Sequence, residues 1–207
     1  MTQVLIVANG EWPKSYNIEE YPTDYSLLIA LDGAANRLAE HGLLPDVLVG
    51  DMDSIDPEIL ARCRLNDTEI IHDANQEQSD ISKGLRWVHQ NHPDSEINIV
   101  GVEIGRYDHH LAAFSSLFEQ KSSAIVILEG WDARRVGSIP QQINVQPGCL
   151  VSLISFGTVT GVNLSGCQYP LHDETMHTGT RGVSNTALET TITISAKSGD
   201  LLLLIQR

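Results

Sequence analysis

Short apolar runs alternate with amphipathic stretches along the first 130 residues. The apolar runs, which predict buried strands, are "QVLIVAN", "SLLIALD", "DVLVGD", "TEIIH", "EINIVGV" and "SAIVILEG". The stretches between them with helical spacing are "AANRLAEHG", "DPEILARC", "SDISKGLRWVHQNH" and "DHHLAAFSSLFEQ". Because strand and helix alternate, we expect right-handed crossovers and a mainly parallel sheet with helices on both faces.

Helical periodicity and end signals also predict details of the helices. Pro57 suits the first turn of its helix, and Ser79 or Asp80 is a candidate N-cap for the next one. In the last helix, four residues lie along one side and form the expected apolar face. These are Leu111, Phe114, Ser115 and Phe118.

The pattern changes after Gly130. The remaining apolar segments are "RRVGSI", "QINVQ", "CLVSLISFG", "TVTGVNLSG", "ETTITISA" and "DLLLLIQR". They are short, rich in β-branched residues, and separated by Gly, Pro, Ser and Asn, which is typical of antiparallel strands. We therefore predict an α/β fold class: a mainly parallel α/β/α sheet domain over residues 1–130, followed by an antiparallel β-sandwich over residues 131–207.

Charge is distributed unevenly between these two parts. The chain has 207 residues and a net charge of −14, with 42% apolar and 19% charged residues, as in ordinary globular proteins. The part from Trp131 onward holds five acidic and five basic residues, so the whole negative excess lies in the first 130 residues. This charge argues against a non-specific nucleic-acid binder. It permits a phosphorylated small molecule, because a metal ion can mediate that contact.

Cysteine usage and the N-terminus predict a cytoplasmic protein. Cys63, Cys149 and Cys167 are too few and too scattered for a disulfide framework, and there is no CxxC pair for zinc. The N-terminal "MTQVLIVANGEW" lacks the basic region of a signal peptide. No apolar run approaches the roughly 20 residues of a membrane helix, so we expect no membrane association.

Polar residues gather where the predicted parallel strands end. Asp32 ends the second strand and Asp51 ends the third, with Asp53 two residues further on. The loop after the fourth strand is "NQEQSD", and "GRYDH" follows the fifth. In open parallel sheets, ligands bind beyond the carboxyl ends of the strands. These four segments therefore predict a ligand site at this edge.

Asp51 and Asp53 stand two residues apart in a predicted tight turn. Both carboxylates can direct oxygens at one hard cation, and Mg²⁺ typically takes one or two protein carboxylates together with phosphate oxygens. The alternative is ordinary turn chemistry with helix capping by Ser54 or Asp56. Spacing alone leaves both interpretations open.

Two further pairs have a structural and a functional interpretation. Arg106 and Asp108 either bind phosphate through the guanidinium or form an internal ion pair that fixes their loop. Asp80 is most simply an N-cap, and Lys83 one turn on is either a solvated partner of Asp80 or a phosphate ligand. Taken alone, Lys83 fits solvent better, but we include it among the phosphate-binding candidates.

Several of these segments, in this order and spacing, resemble the thiamine pyrophosphokinase (thiamine diphosphokinase) family. "ALDGAANRL" is similar to the family's "ADGGANRL", "VGDMDS" to "GDFDS", "NQEQSDISKGL" to "DQDxTD…KAL", and "EIGRYDH" to "GGRxDH". In the second half, "GVNLSGCQYPL" and "TGTRGVSN" resemble its glycine-punctuated β-domain and "SN" signature. The sequence departs from the family pattern at Glu77, Ser79, Ile104 and the residue after "SN".

The resemblance implies an enzyme that transfers pyrophosphate from ATP to the hydroxyl of thiamine with Mg²⁺, in a homodimer whose active site is shared between subunits. The implied catalytic residues are Asp51, Asp53, Asp80, Arg106 and Asp108, of which Asp51, Asp53 and Asp80 would hold the metal. The expected ATP and phosphate contacts are Asp32, Asn36, Gln76, Ser79, Lys83 and Arg106. The expected thiamine contacts are Tyr169, which would stack on the ring, Ser184 and Asn185.

The required chemistry is consistent with these residues. Pyrophosphoryl transfer depends mainly on positioning and on offsetting the charge of three phosphates. Asp80 or Asp108 would align the alcohol or accept its proton. Two other functions stay open at this point: a diphosphokinase for another hydroxymethyl heterocycle such as a pterin, and a non-catalytic regulator that binds nucleotide or thiamine.

Overall fold

The protein is described from a computed structural model covering residues 2–18, 24–103 and 105–207. Ile104, one of the departures from the family pattern, lies outside the described residues. The chain divides into two compact units, Met1–Glu129 and Gly130–Arg207. The division falls where the hydrophobic pattern changes, and the assignment of a separate chemistry to each part stays a prediction.

The first unit alternates strands and helices. Its strands are β1 (Gln3–Val7), β2 (Leu27–Leu31), β3 (Val47–Gly50), β4 (Glu69–His72), β5 (Glu96–Val100) and β6 (Ile125–Leu128). Helices in its described residues include α1 (Ala34–Glu40), α2 (Pro57–Leu65), α3 (Asp80–Asn91) and α4 (Tyr107–Glu119). Each of these elements overlaps a segment whose type the hydrophobic pattern predicts, although α2 extends two residues past its segment and α4 begins one residue before its own.

The sheet of the first unit has the strand order β4-β3-β2-β1-β5-β6, and all five pairings are parallel. The predicted parallel α/β architecture is therefore confirmed. The chain builds outward from β1 to β4 and then returns to place β5 on the other side of β1. This reversal opens a crevice at the carboxyl ends of β1 and β5, where such sheets bind ligands.

Local signals fix the ends of two helices that border this edge. Asp56 caps α2 by accepting the Glu58 N–H at 2.7 Å, with Pro57 in the first turn as predicted. Ser79, one of two candidates, caps α3 by accepting the Ser82 N–H at 3.3 Å. Both caps satisfy backbone donors that a helix start otherwise leaves unpaired.

The predicted apolar face of α4 is wrong. Leu111 is 57% exposed, and the buried side consists of Ala113, Ser116 and Leu117. Ser116 lies against Ser79 at the start of α3, with 2.9 Å between the two hydroxyl oxygens. Close approach of α3 and α4 favours small side chains there, and hydrophobicity alone does not reveal that preference.

The second unit is antiparallel throughout. Its strands are β7 (Trp131–Arg135), β8 (Gln141–Asn144), β9 (Leu150–Ser165), β10 (Leu171–Met176), β11 (Asn185–Thr186), β12 (Thr191–Ser195) and β13 (Ser198–Gln206). The order is β7-β13-β9-β12-β8, and β10 and β11 also pair with β9. The core is mainly aliphatic and includes Val151, Leu153, Val162, Ile192 and Leu203. This agrees with the predicted antiparallel β-domain.

One long strand replaces two predicted ones. The sequence predicts a break at Gly157, but β9 continues through it and pairs with β13 on both sides, with a register shift between Ser198 and Asp200. Gly157 adopts φ of +86°, which a glycine accepts without strain, so the strand bends and does not end. No helix in the described ranges is long and apolar enough to cross a membrane.

Candidate active site

A cavity of about 390 Å³ opens at the carboxyl edge of the first unit's sheet. Backbone after β1 and β5 forms part of its wall, and the remainder comes from the loops after β2, β3 and β4 and from α3 and α4. The polar side chains lining it are Asn9, Asp32, Asp51, Asp53, Ser54, Gln76, Gln78, Ser79, Asp80, Lys83 and His109. The predicted convergence of loop residues at this edge is thus present in the structure.

Three carboxylates form a cluster in this cavity. Asp32, Asp51 and Asp53 each place an oxygen within 4.8 Å of the others. Asp32 is only 5% exposed, and its Oδ1 has no hydrogen-bond partner within the described part of the chain. Burial raises the pKa of Asp32, and the charges of Asp80 and Asp53 raise it further, against the lowering effect of its bonds from Ser54. A buried oxygen without a partner next to two more carboxylates is a fitting donor set for a hard cation.

The backbone brings these carboxylates together through unusual conformations. Asp32 has φ of 45° and Met52 has φ of 65°, both in the left-handed region. Gly50, at the end of β3, lies so close to Asp32 that an added Cβ would stand 2.9 Å from the Asp32 Cβ. The glycine therefore permits the turn that carries Asp51 and Asp53 to lie next to Asp32.

Asn36, predicted to contact ATP, holds this turn in place. Its Nδ2 donates to the Ser54 carbonyl at 3.0 Å, and its Oδ1 accepts the Asp56 N–H at 2.9 Å. The Ser54 hydroxyl in turn donates to Asp53 at 2.9 Å. Asn36 is not among the residues lining the cavity, so its geometry supports a role in positioning the acidic turn.

The loop after β4 contributes Gln76 and Ser79. Gln76 donates from Nε2 to Asp51 Oδ2 at 2.8 Å, and this bond, with a smaller effect from Lys83, holds the pKa of Asp51 below its ordinary value. Ser79 lines the cavity and caps α3. The loop therefore reaches the acidic cluster directly.

Lys83 is buried, so the interpretation that it is solvated is wrong. Its side chain is 3% exposed, lines the cavity and places Nζ 2.9 Å from Asp80 Oδ1. The first turn of α3 points into the site, which spacing alone could not establish. Asp80, predicted as a metal ligand, contacts this lysine and is not part of the three-carboxylate cluster. Asp32, predicted among the phosphate contacts, belongs to that cluster.

Arg106 and Asp108 pair with each other at the start of α4. Their Nη2 and Oδ2 atoms are 2.6 Å apart, and the side chains are 61% and 65% exposed. The hydrogen bond from Arg106 lowers the pKa of Asp108 to about 2. Neither residue lines the cavity, whereas His109, which the sequence places in the same segment but to which no role was assigned, does. The predicted phosphate role of this pair stays a prediction.

A second cavity, of about 310 Å³, lies in the second unit. Tyr169, Ser184 and Asn185 all line it, together with apolar and basic side chains that include Leu153, Met176, Val183 and Arg181. Asn185 is 7% exposed and pairs with the Tyr169 backbone in both directions, accepting its N–H at 3.0 Å and donating to its carbonyl at 2.8 Å. This pairing fixes the segment that presents the exposed Tyr169 ring.

A parallel α/β unit with an acidic cavity at its carboxyl edge, followed by an antiparallel β unit with a cavity of its own, defines a class of two-unit α/β proteins with one candidate ligand site in each unit. Residues 18–128 match the family "Thiamin pyrophosphokinase, catalytic domain", and residues 139–201 match "Thiamin pyrophosphokinase, vitamin B1 binding domain". The first match alone spans more than half of the chain. The chain therefore belongs to the thiamin pyrophosphokinase family.

Individual relatives agree with this assignment. Thiamine pyrophosphokinase of Bacillus subtilis (strain 168) is 26% identical, over 99% of this chain and 98% of the relative. Thiamine pyrophosphokinase 1 of Oryza sativa subsp. japonica is 29% identical, over 83% of this chain and 76% of the relative. The crystal structure of a thiamin pyrophosphokinase family protein from Enterococcus faecalis has the same fold, with a TM-score of 0.83, 23% identity and coverage of 100% and 99%.

Proposed function

We propose that this protein is an ATP-dependent thiamine diphosphokinase, which transfers pyrophosphate from ATP to the hydroxyl of thiamine and releases AMP. The observation that carries the proposal is the acidic cavity of the first unit, where Asp32, Asp51 and Asp53 cluster and Lys83 is buried. Membership of the thiamin pyrophosphokinase family, with both of its domains matched, supports the choice of substrates.

The residues of the cavity fit a magnesium ion. Asp51 and Asp53, together with the unpartnered oxygen of Asp32, would hold it. Mg²⁺ bound there would supply charge neutralisation for the phosphates of ATP. The predicted third ligand, Asp80, is better suited to another role, because it pairs with Lys83.

The protein's own groups account for binding and positioning. Lys83 is buried and lines the cavity, so its ammonium group can offset phosphate charge from within the site. α3 begins next to the cavity at its N-cap Ser79, and the backbone N–H groups of a helix N-terminus favour the binding of anions. Of the two candidates for aligning the alcohol, the structure supports Asp80, because it lines the cavity and Asp108 does not.

The second cavity supplies the other substrate site in this proposal. Tyr169 offers an aromatic face, and Ser184 and Asn185 border the same space. We further propose the predicted homodimer with a shared active site; light scattering on the purified protein would test whether it is a dimer. A pterin substrate is not favoured, because the second matched domain is described as binding vitamin B1. A non-catalytic regulator is not favoured, because the first matched domain is described as a catalytic domain.

The test is an assay with ATP, Mg²⁺ and thiamine that quantifies AMP and thiamine diphosphate together. Equal amounts of both products are expected. Asp53→Ala should reduce kcat by about 10²–10³ because it removes one carboxylate of the acidic cluster. On the predicted phosphate role of Arg106, Arg106→Ala should reduce kcat by a similar factor. Glu58→Ala, a change to an exposed glutamate on α2, is the control and should retain activity.

A wild-type protein that releases no AMP with thiamine would refute the proposed function. Near-normal turnover of folded Asp53→Ala and Arg106→Ala would refute the assignment of the phosphate site. Circular dichroism and thermal melting show whether each variant is folded.

A further inference from the structure

The loop between β4 and α3 carries residues that the proposed function needs. It runs from Asp73 to Ser79, and it presents Gln76 to Asp51 and Ser79 to the cavity. Apart from Asp73 and its last residues, this loop is exposed, so burial alone does not fix its conformation. The contacts that hold it therefore determine how well this part of the site is organised.

Short-range hydrogen bonds shape the first half of the loop. Asp73 Oδ1 accepts the Asn75 N–H at 3.0 Å, and Asn75 Oδ1 accepts the Glu77 N–H at 2.9 Å. Side chains of this kind stabilise consecutive turns through their own backbone. These bonds set the local curvature but do not attach the loop to the helices beside it.

Gln78 attaches the loop to both helices, because its side-chain amide forms one hydrogen bond through its oxygen and another through its nitrogen. Arg86 on α3 donates from Nη1 to Gln78 Oε1, and Gln78 Nε2 donates to Glu119 Oε1 on α4 at 2.8 Å. Arg86 also donates from Nη2 to Asp73 Oδ2, so a single guanidinium holds both ends of the loop. A planar guanidinium suits this double contact, which a lysine could not reproduce.

Glu119 extends the same network across the two helices. Its Oε2 accepts the Ser82 hydroxyl on α3 while its Oε1 accepts Gln78, and both bonds lower its pKa. Next to it, the hydroxyls of Ser79 and Ser116 are 2.9 Å apart. The loop, the first turn of α3 and the last turns of α4 are thus joined by polar contacts.

We propose that Gln78, Arg86 and Glu119 form a clamp that positions the 73–79 loop for ATP binding. Arg86 and Glu119 are positioning residues, since they act through the loop, and Gln78, which also lines the cavity, is the loop residue that they hold. The proposal rests on the proposed function, which gives the loop its ligand. It predicts that loosening the clamp weakens the use of ATP and leaves the thiamine site unchanged.

A charge exchange across the clamp provides the test. Gln78→Glu places a second carboxylate against Glu119, and the two like charges repel. In the double variant Gln78→Glu/Glu119→Gln the contacts are restored. The new amide at position 119 can donate to the new carboxylate at position 78 and still accept from Ser82, and Arg86 can donate to the same carboxylate. Non-additivity of this kind is the signature of residues in direct contact.

The expected kinetic result separates the two substrates. Gln78→Glu should raise the KM for ATP about tenfold, a typical size for coupling between contacting groups, and the double variant should return within about threefold of wild type. The KM for thiamine should not change in either protein. A double variant no better than Gln78→Glu would overturn the clamp.

Ser116 offers a second test with a matched control on the same helix. Ser115 and Ser116 both donate to a carbonyl one turn earlier, at 2.8 and 2.9 Å, but Ser116 also contacts Ser79. Ser116→Ala should raise the KM for ATP, and Ser115→Ala should not. Equal kinetics in these two variants would contradict the proposed attachment even if Gln78→Glu fails to fold.

Hydrogen exchange without substrates tests the clamp independently of activity. Amides of residues 74–79 should exchange faster in Gln78→Glu than in wild type and recover in the double variant. Equal exchange in wild type and Gln78→Glu would refute the clamp. Absence of AMP formation by the wild type would instead refute the proposed function.

Discussion

Asp32 combines a strained backbone with a buried oxygen that has no hydrogen-bond partner among the residues that the structure describes. Its φ is 45°, its side chain is 5% exposed, and burial raises the pKa of its carboxyl group. Both features destabilise the folded chain unless a ligand compensates for them. The arrangement therefore indicates a residue retained for binding and not for stability.

Replacing Asp32 with Asn should separate these two effects. Asp32→Asn removes a buried charge facing Asp53 and Asp80, so we expect the Tm of the metal-free protein to rise by about 2–4 °C, equivalent to about 1 kcal/mol. Calorimetric titration should show loss of Mg²⁺ binding. Because ionised Asp32 is the disfavoured form, the difference in Tm should shrink as the pH falls and Asp32 becomes protonated.

The exposed Asp53 provides the comparison for that experiment. Asp53→Asn should also weaken Mg²⁺ binding, but it should raise the Tm less, because Asp53 is not buried. A lower Tm for Asp32→Asn than for wild type would show that the buried carboxylate stabilises the fold.

Lys83→Met should remove the buried cation while keeping the packing of its aliphatic chain. The partner left behind, Asp80, is 40% exposed and can be hydrated, so the folded state should tolerate the change. We expect kcat/KM for ATP to fall about 10²-fold. Steady-state kinetics measure this, with exposed Lys14→Met as the control. Unchanged ATP kinetics would remove Lys83 from the phosphate site.

Sequence reasoning located these residues better than it located their contacts. Asp51, Asp53 and Gln76 were identifiable because polar residues after parallel strands meet at one edge. The grouping of Asp32 with Asp51 depends on the β2–β3 register and on the close approach of Gly50. The burial of Lys83 depends on how α3 is rotated. Neither property is visible in residue spacing.

Among the secondary-structure elements, α3 and α4 show how polar contacts replace a hydrophobic interface near the site. The N-terminal turn of α3 meets the C-terminal turns of α4 through two pairs of side chains. These pairs are Ser79 with Ser116 and Ser82 with Glu119. Caps follow from local sequence, which narrows the start of α3 to Ser79 or Asp80, and the structure has Ser79. The buried face of α4 and the continuous bent strand β9 were not predicted, because both depend on partners distant in the chain.

The contacts of Glu119 should make this junction sensitive to acid. Hydrogen bonds from Ser82 and then Gln78 hold the pKa of Glu119 below its ordinary value. Their stabilisation is therefore fully present above the unfolded-state pKa of about 4.3 and is lost as the pH falls through the lower folded-state value. Urea unfolding between pH 7 and about pH 3 should show the stability gap between wild type and Glu119→Ala closing. A gap that stays constant would contradict this account.

For the whole chain, the main electrostatic property is the separation of charge between its two parts. The entire net charge of −14 belongs to the first 130 residues, which also contain the proposed ATP site, and the remainder is balanced. A polyanion approaching this part meets a repulsive field, apart from the local attraction of cations such as Lys83. A divalent cation is the simplest means of compensating for that field.

Affinity for ATP without a divalent ion should consequently improve with added salt. Between about 0.01 M and 0.15 M ionic strength the Debye length falls from about 30 to 8 Å, which screens the repulsion. Calorimetry in a chelating buffer should show the Kd for ATP decreasing over this range. An increase, as a basic site would give, would show that local cations dominate.

Gly50 has a consequence for how this protein can vary. An added methyl group at this position would collide with Asp32, the residue that directly follows the neighbouring strand β2 and completes the acidic cluster. Even alanine, ordinarily the mildest replacement, is thus excluded there by crowding, although the glycine itself has no chemistry. Saturation mutagenesis of position 50 under selection for activity should return only glycine. Other positions of the turn should accept substitutions more readily than this one.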